Sequence, residues 1–202
     1  MKKRFFLGFL VLGFLFYSFS CMGAYFRDLT RKTFSAPEFT TNAMETGKIA
    51  LLPTVAGPEY ARTTDVTLID SFQTYHPGIT AIGGAESRKL LQDAGLVEKY
   101  SQMMETYYKT SILDKSTITK MGEAVRSRYL MYTRLLKYDQ RREKDVNVYE
   151  LSIKAEIWDS RTGEVVWDVT GDGIMRQTLV DKPVTFDDIV VKVCDSIMQK
   201  LP

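Results

Sequence analysis

Between residues 149 and 157 the chain alternates without a break. Tyr149, Leu151, Ile153, Ala155 and Ile157 are apolar, while Glu150, Ser152, Lys154 and Glu156 are not. A period of two places alternate side chains on opposite faces of a strand, so this stretch has one buried face and one solvated or lightly covered face. Asp159-Ser160-Arg161-Thr162-Gly163 follows as a tight turn in which Gly163 is free to take a positive φ. Val165, Trp167 and Val169 line the return strand. Upstream, residues 129–136 are apolar on both faces apart from Thr133 and Arg134, the pattern of a central strand. A charged connection ending at residues 145–147 joins that strand to the alternating one, and the three together predict an antiparallel meander.

The C-terminal residues supply cover for it. Thr185 and Asp188 have the spacing of a capping box. Phe186, Ile189, Val190, Val193, Cys194 and Ile197 then recur at helical spacing, and such a stripe is buried against the apolar face of the meander. Before the meander, residues 87–93, 96–109 and a segment capped by Ser116 predict three helices, the last with Ile118, Met121, Gly122 and Val125 on one face. Residues 49–53 (IALLP) read as a short buried strand closed by Pro53, and residues 65–69 (DVTLI) as a second short strand. Residues 70–85 contain Pro77, Gly78, Gly83 and Gly84 and read as an irregular loop. The expected fold is an α/β sandwich of the α+β class. It has a mostly antiparallel sheet of about four strands flanked by helices.

The first twenty residues stand apart from this fold. Lys2, Lys3 and Arg4 precede twelve apolar or glycine residues, 5–16. Twelve residues of helix reach about 18 Å, short of a bilayer core of about 30 Å, so the segment reads as a signal peptide rather than a span. Ser18-Phe19-Ser20-Cys21 resembles the lipobox cut by lipoprotein signal peptidase, with small Ser20 before the cysteine and Ser18 where leucine is usual. Residues 1–20 are therefore expected to be removed, Cys21 lipidated, residues 21–46 a tether and residues 47–202 a single domain. Met22 is not the Asp associated with inner-membrane retention, which favours the outer membrane facing the periplasm. Removing three of the 27 basic residues leaves 24 against 25 acidic ones, a net charge of −1 that makes no electrostatic case for nucleic acid.

Catalytic groups do not converge. His76 is the single histidine and sits in a Tyr-His-Pro-Gly turn, where a solvated ring is expected. A catalytic zinc site commonly uses two histidines or more, and two cysteines cannot build a four-thiolate site. Gly83-Gly84 and Gly171-Asp172-Gly173 do not continue as phosphate-cradling motifs, and the second cluster reads as a bulge or a strand end. Asp187 and Asp188 read as charges at a helix N-terminus, and Cys194 as a small core residue. No catalytic residue, cofactor or metal is assigned. The candidate partner contacts are Tyr75 and His76 in the long loop, and Arg141 and Arg142 in the polar tip between strands.

Three pieces of the chain resemble small envelope lipoproteins of the CsgG and LpoB type, whose domain is similar to the N-terminal domain of TolB. They are residues 48–53 (KIALLP), residues 121–130 (MGEAVRSRYL) and residues 153–167 (IKAEIWDSRTGEVVW). The resemblance implies a binding role, since one relative stimulates a peptidoglycan synthase and another assembles as a secretion channel. The channel alternative needs membrane-crossing hairpins beyond the three meander strands. The expectation is a non-enzymatic, membrane-anchored lipoprotein that binds an envelope protein in cell-wall or surface-organelle assembly. A periplasmic hydrolase with its site near residues 70–85 and a structural homo-oligomer subunit remain as alternatives.

Overall fold

The computed structural model describes residues 24–178 and 183–202. The leader and Cys21 lie outside the described residues. The meander forms as expected and is longer than the apolar pattern alone marks. β5 (Tyr129–Glu143), β6 (Val146–Asp159) and β7 (Glu164–Thr178) contain 15, 14 and 15 residues. Lys144 at φ 54° turns the first hairpin. In the second, Asp159 accepts from the Arg161 amide at 2.9 Å and Gly163 takes φ +76°. The segment expected as a polar tip between strands, which holds Arg141 and Arg142, is thus mostly strand. Its alternation is masked because both of its faces carry polar groups.

Two layers of helix enclose the sheet. On one face, α2 (Pro58–Tyr75) and α6 (Phe186–Met198) pack together, joined by a 2.8 Å hydrogen bond from the Ser71 hydroxyl to Asp195. Leu68, Phe72, Ile189, Val193 and Ile197 meet Leu151, Ile153, Ala155, Trp167 and Val169 in one core. The Thr185–Asp188 capping box and the buried stripe of α6 are both present. On the other face, α3 (Gly84–Asp93), α4 (Val97–Thr110) and α5 (Lys115–Ala124) bring Leu91, Met103, Ile118 and Met121 onto Leu130, Tyr132 and Trp158. Asp114, not Ser116, caps α5, accepting from the Ser116 amide at 3.0 Å and the Thr117 hydroxyl at 2.6 Å. No helix among the described residues is long and apolar enough to cross a membrane.

The sheet has seven strands among the described residues, against the expected four or so, and it is mixed. β3 (Ile49–Leu51) lies parallel between β5 and the two-residue β4 (Ala81–Ile82). The expected strand at residues 65–69 is instead part of α2. Its buried side chains Thr64, Leu68, Ser71 and Phe72 have helical spacing, which a five-residue β-branched window hides. The expected 70–85 loop shrinks correspondingly, since α2 runs to Tyr75 and α3 starts at Gly84.

The largest departure is at the N-terminus. From Tyr25 onward the expected tether is part of the fold. β1 (Tyr25–Asp28) and β2 (Arg31–Ser35) both pair antiparallel with β7, and the Leu29 amide bonds the Asp172 carbonyl at 2.8 Å between them. α1 (Thr41–Gly47) then buries Met44, and Phe39 meets the Tyr129 ring edge-on at 5.1 Å.

Gly171 and Gly173 lie inside β7 rather than at a bulge or strand end. A Cβ on Gly171 would stand 2.6 Å from the Ile197 side chain, and one on Gly173 would stand 2.6 Å from both Phe26 and Val193. These glycines let α6 lie close on the strand. Gly171→Val is therefore expected to cost about 1–3 kcal/mol through overpacking, lowering Tm by several degrees. Lys192→Ala, on the exposed side of α6, stays within about 0.5 kcal/mol. Equal melting temperatures for the two variants would place α6 farther from β7 than described here.

Candidate interaction surface

Helices α3 to α5 cover only part of their side of the meander. Where that cover ends, the last turns of α4 and the open strands enclose a cleft of about 490 Å³. It is built from the inside out. Glu156, buried on β6, accepts from Tyr107 Oη at 2.7 Å and from Trp158 Nε1 at 3.0 Å, both on the same carboxylate oxygen. Its other oxygen lies 3.8 Å from Lys154 Nζ, which also ion-pairs with Asp168. Tyr132 stacks on Trp158 with centroids 5.0 Å apart, and its hydroxyl meets that of Tyr108 at 2.9 Å. The Arg134 guanidinium lies 4.7 Å from the centre of the Tyr108 ring.

Burial, and then the hydrogen bond to Glu156, raises the pKa of Tyr107. Burial and the Tyr108 hydroxyl do the same to Tyr132. Both phenols stay neutral at physiological pH. Glu156 and Lys154 are committed to neighbours, so the cleft floor is a satisfied polar network that fixes its own shape. Its rim is different. Tyr108 on α4 is 45% exposed and Leu136, the extra residue of the β5 bulge, is 44% exposed, with Arg134 of the same strand over the Tyr108 ring. Aromatic, arginine and apolar side chains held rigidly at a surface are the usual anchors of protein interfaces.

The residues singled out in the sequence fall elsewhere, at opposite ends of the sheet. Tyr75 is the last residue of α2, and its hydroxyl accepts from Gln199 Nε2 at 2.8 Å. His76 is half-buried rather than solvated. Its Nε2 lies 3.2 Å from the Met198 carbonyl and its ring packs 5.3 Å from that of Phe72, so it ties α2 to the end of α6. Arg141 and Arg142 lie on β5 near the other end. Arg141 bonds Asp139 at 3.1 Å, Glu143 at 2.9 Å and Glu150 at 2.6 Å, while Arg142 Nε donates to the Lys144 carbonyl at 3.1 Å. The tip is thus a charge-paired ladder, not a free basic loop. Cys194 is fully buried, which raises its pKa and keeps the thiol protonated. Among the described residues no group of three His, Cys, Asp or Glu side chains is placed to hold a metal ion.

The cleft was not singled out in the sequence, although Arg134 in an apolar strand and Glu156 in the alternating one are its signals. Only pairing across elements brings Tyr107 and Tyr108 to them.

Hydrogen bonds from Arg141 and then Lys137 draw the Glu150 carboxyl down to a pKa of about 2 from an ordinary 4.5. A depressed carboxylate stabilises the fold above its unfolded pKa, and that contribution is lost as pH falls toward the folded value. Wild type should therefore melt above Glu150→Gln at pH 7, by a small margin because the pair is exposed to solvent. The margin should narrow between pH 4.5 and 2. A margin that stays constant over that range in thermal melts would show that the pairing does not stabilise the fold.

No protein-family model and no curated protein matches the chain. Among solved structures it is similar to the PelC dodecamer from Paraburkholderia phytofirmans, at 12% identity over 85% of this chain and 98% of that one, with a TM-score of 0.49. It is similar also to lipoprotein GNA1162 from Neisseria meningitidis, at 16% identity over 75% of this chain and 98% of that one, TM-score 0.42. A third is the LpoB C-terminal domain from Salmonella enterica, at 16% identity over 68% of this chain and 86% of that one, TM-score 0.40. The solved structures to which the chain is similar thus include a lipoprotein and an LpoB domain.

Proposed function

We propose that this chain is a lipid-anchored, non-enzymatic envelope protein that holds a protein partner against the open face of its meander. The observation that carries the reading is the cleft rim. Tyr108 and Leu136 are exposed beside Arg134, on a floor whose charged groups are already paired. A surface of that kind offers anchors for a partner and no unengaged acid–base pair for chemistry. The alternative of a hydrolase near residues 70–85 is less well supported, because His76 is engaged in holding two helices together. The anchor is the lipid on Cys21, and the proposed site is the outer membrane facing the periplasm.

Two experiments test this. A photo-crosslinker at Leu136 in native envelopes should give one discrete adduct, and Arg134→Glu should reduce it about tenfold, the equivalent of about 1.4 kcal/mol, with Tm unchanged. The same crosslinker at Val66, exposed on α2 away from the cleft, should give none. Adducts of equal yield at both positions, or at neither, contradict the reading. An adduct of twice the chain's own mass makes the partner a second copy. Separately, Cys21→Ser should abolish incorporation of labelled palmitate, and labelling that persists would put the lipid elsewhere.

A further inference from the structure

The register of the sheet fixes which end of the domain the lipid holds. Tyr25 pairs with Arg176, Arg176 with Val148, and Val148 with Arg141, so one row of side chains crosses β1, β7, β6 and β5. Because β1 runs antiparallel to β7, the chain enters the sheet at the end where Lys144 turns β5 into β6. Only Met22 and Gly23 separate Cys21 from Ala24. Four residue steps from Cys21 to Tyr25 span at most about 14 Å. A lipid on Cys21 therefore keeps this end of the sheet close to the headgroups. The opposite end, at the turn before β7, lies about 40 Å farther along β6.

The chemistry of the near end suits such a neighbour. Tyr25 is 65% exposed, and Arg27, Arg142, Lys144 and Arg176 are exposed around it. Among the described residues of the hairpin tip Glu143 and Asp145 are acidic, and Glu143 already lies 2.9 Å from Arg141 and 3.6 Å from Arg176. Exposed tyrosine with lysine and arginine is the composition found at bilayer interfaces, where cations meet lipid phosphate and the phenol straddles the headgroup boundary.

We infer that this end of the sheet is a membrane-contact surface, with Tyr25, Arg27, Arg142, Lys144 and Arg176 resting on the phosphate headgroups of the bilayer that holds the Cys21 lipid. The meander then stands upright on the membrane. The cleft beside Arg134, which pairs with Lys154, sits about 26 Å above the hairpin tip, and the Tyr75–His76 corner faces away. The inference rests on lipidation at Cys21.

The test uses the mature lipidated chain in phosphatidylethanolamine–phosphatidylglycerol vesicles with a nitroxide on the headgroup. A fluorophore is attached at Lys144→Cys in one sample and at Arg161→Cys in another. Cys194 is buried and escapes labelling. Quenching should be several-fold stronger at position 144 than at 161, and a twenty-residue Gly/Ser insertion after Gly23 should reduce it at 144. A chain that does not float with the vesicles overturns both the anchor and this surface. Flotation with equal quenching at the two positions overturns the surface alone. So does a position 144 that is unquenched but crosslinks to another protein, which would assign the basic tip to a protein partner.

Discussion

A fifteen-residue strand at the margin of a sheet presents a row of unpaired amides and carbonyls, which invite pairing with other chains unless something covers them. β7 would be such a strand if the fold began at residue 48. Residues 25–35 occupy its outer side instead, with β1, the Leu29 amide and β2 forming one nearly continuous ladder. That pairing moves the margin to a strand better suited to it, with exposed Arg27, Arg31 and Lys32 and a register shift between Lys32 and Phe34. It also fixes where the N-terminus leaves the domain. Phe26, Val193 and the bare backbone of Gly173 meet at one point, so the β1 pairing and the seating of α6 depend on the same absent side chain.

The asymmetry of the two faces follows from the order of the helices. α2 and α6 run along the meander and bury the alternating apolar face of β6. Helices α3 to α5 are a local block between β4 and β5, and they cover the other face only near the start of β5 and the end of β6. The outer halves of the strands are left open and carry charge, with Lys137, Arg141 and Glu150 paired across neighbouring strands. The cleft lies at the boundary between the covered and open parts, where Tyr107 and Tyr108 from α4 reach over to Glu156 and Tyr132.

What could be read in the sequence and what could not divide along physical lines. The meander and α6 were legible because each buries one full face, so periodicity and burial coincide at residues 149–157 and 186–197. β1 and β2 were not, because a marginal strand takes its stability from the backbone of its neighbour and needs no apolar alternation; in Arg31–Ser35 every residue but Ser35 is exposed, and Ser35 is only partly covered. Residues 65–69 misled because β-branched residues in a short window satisfy a strand pattern, whereas the helical stripe of α2 needs nine residues, 64–72, to show. The pair Gly171 and Gly173 could be flagged but not explained, since their function is to admit Ile197 and Val193 from a helix about twenty residues away. Tyr75, His76, Arg141 and Arg142 look like loop residues in the sequence, and the fold instead draws them into helix ends and strand ladders.

Pairing of residues 25–35 with β7 holds the end of the chain that carries Cys21 to one end of the sheet, which a flexible spacer would not do. Native-state hydrogen exchange on the mature protein tests this most directly. Inward amides such as Leu29, bonded across to β7, should exchange orders of magnitude more slowly than an unstructured peptide, alternating with faster outward ones. Uniformly fast exchange from residue 25 through residue 35, with protection beginning only near residue 49, would contradict it.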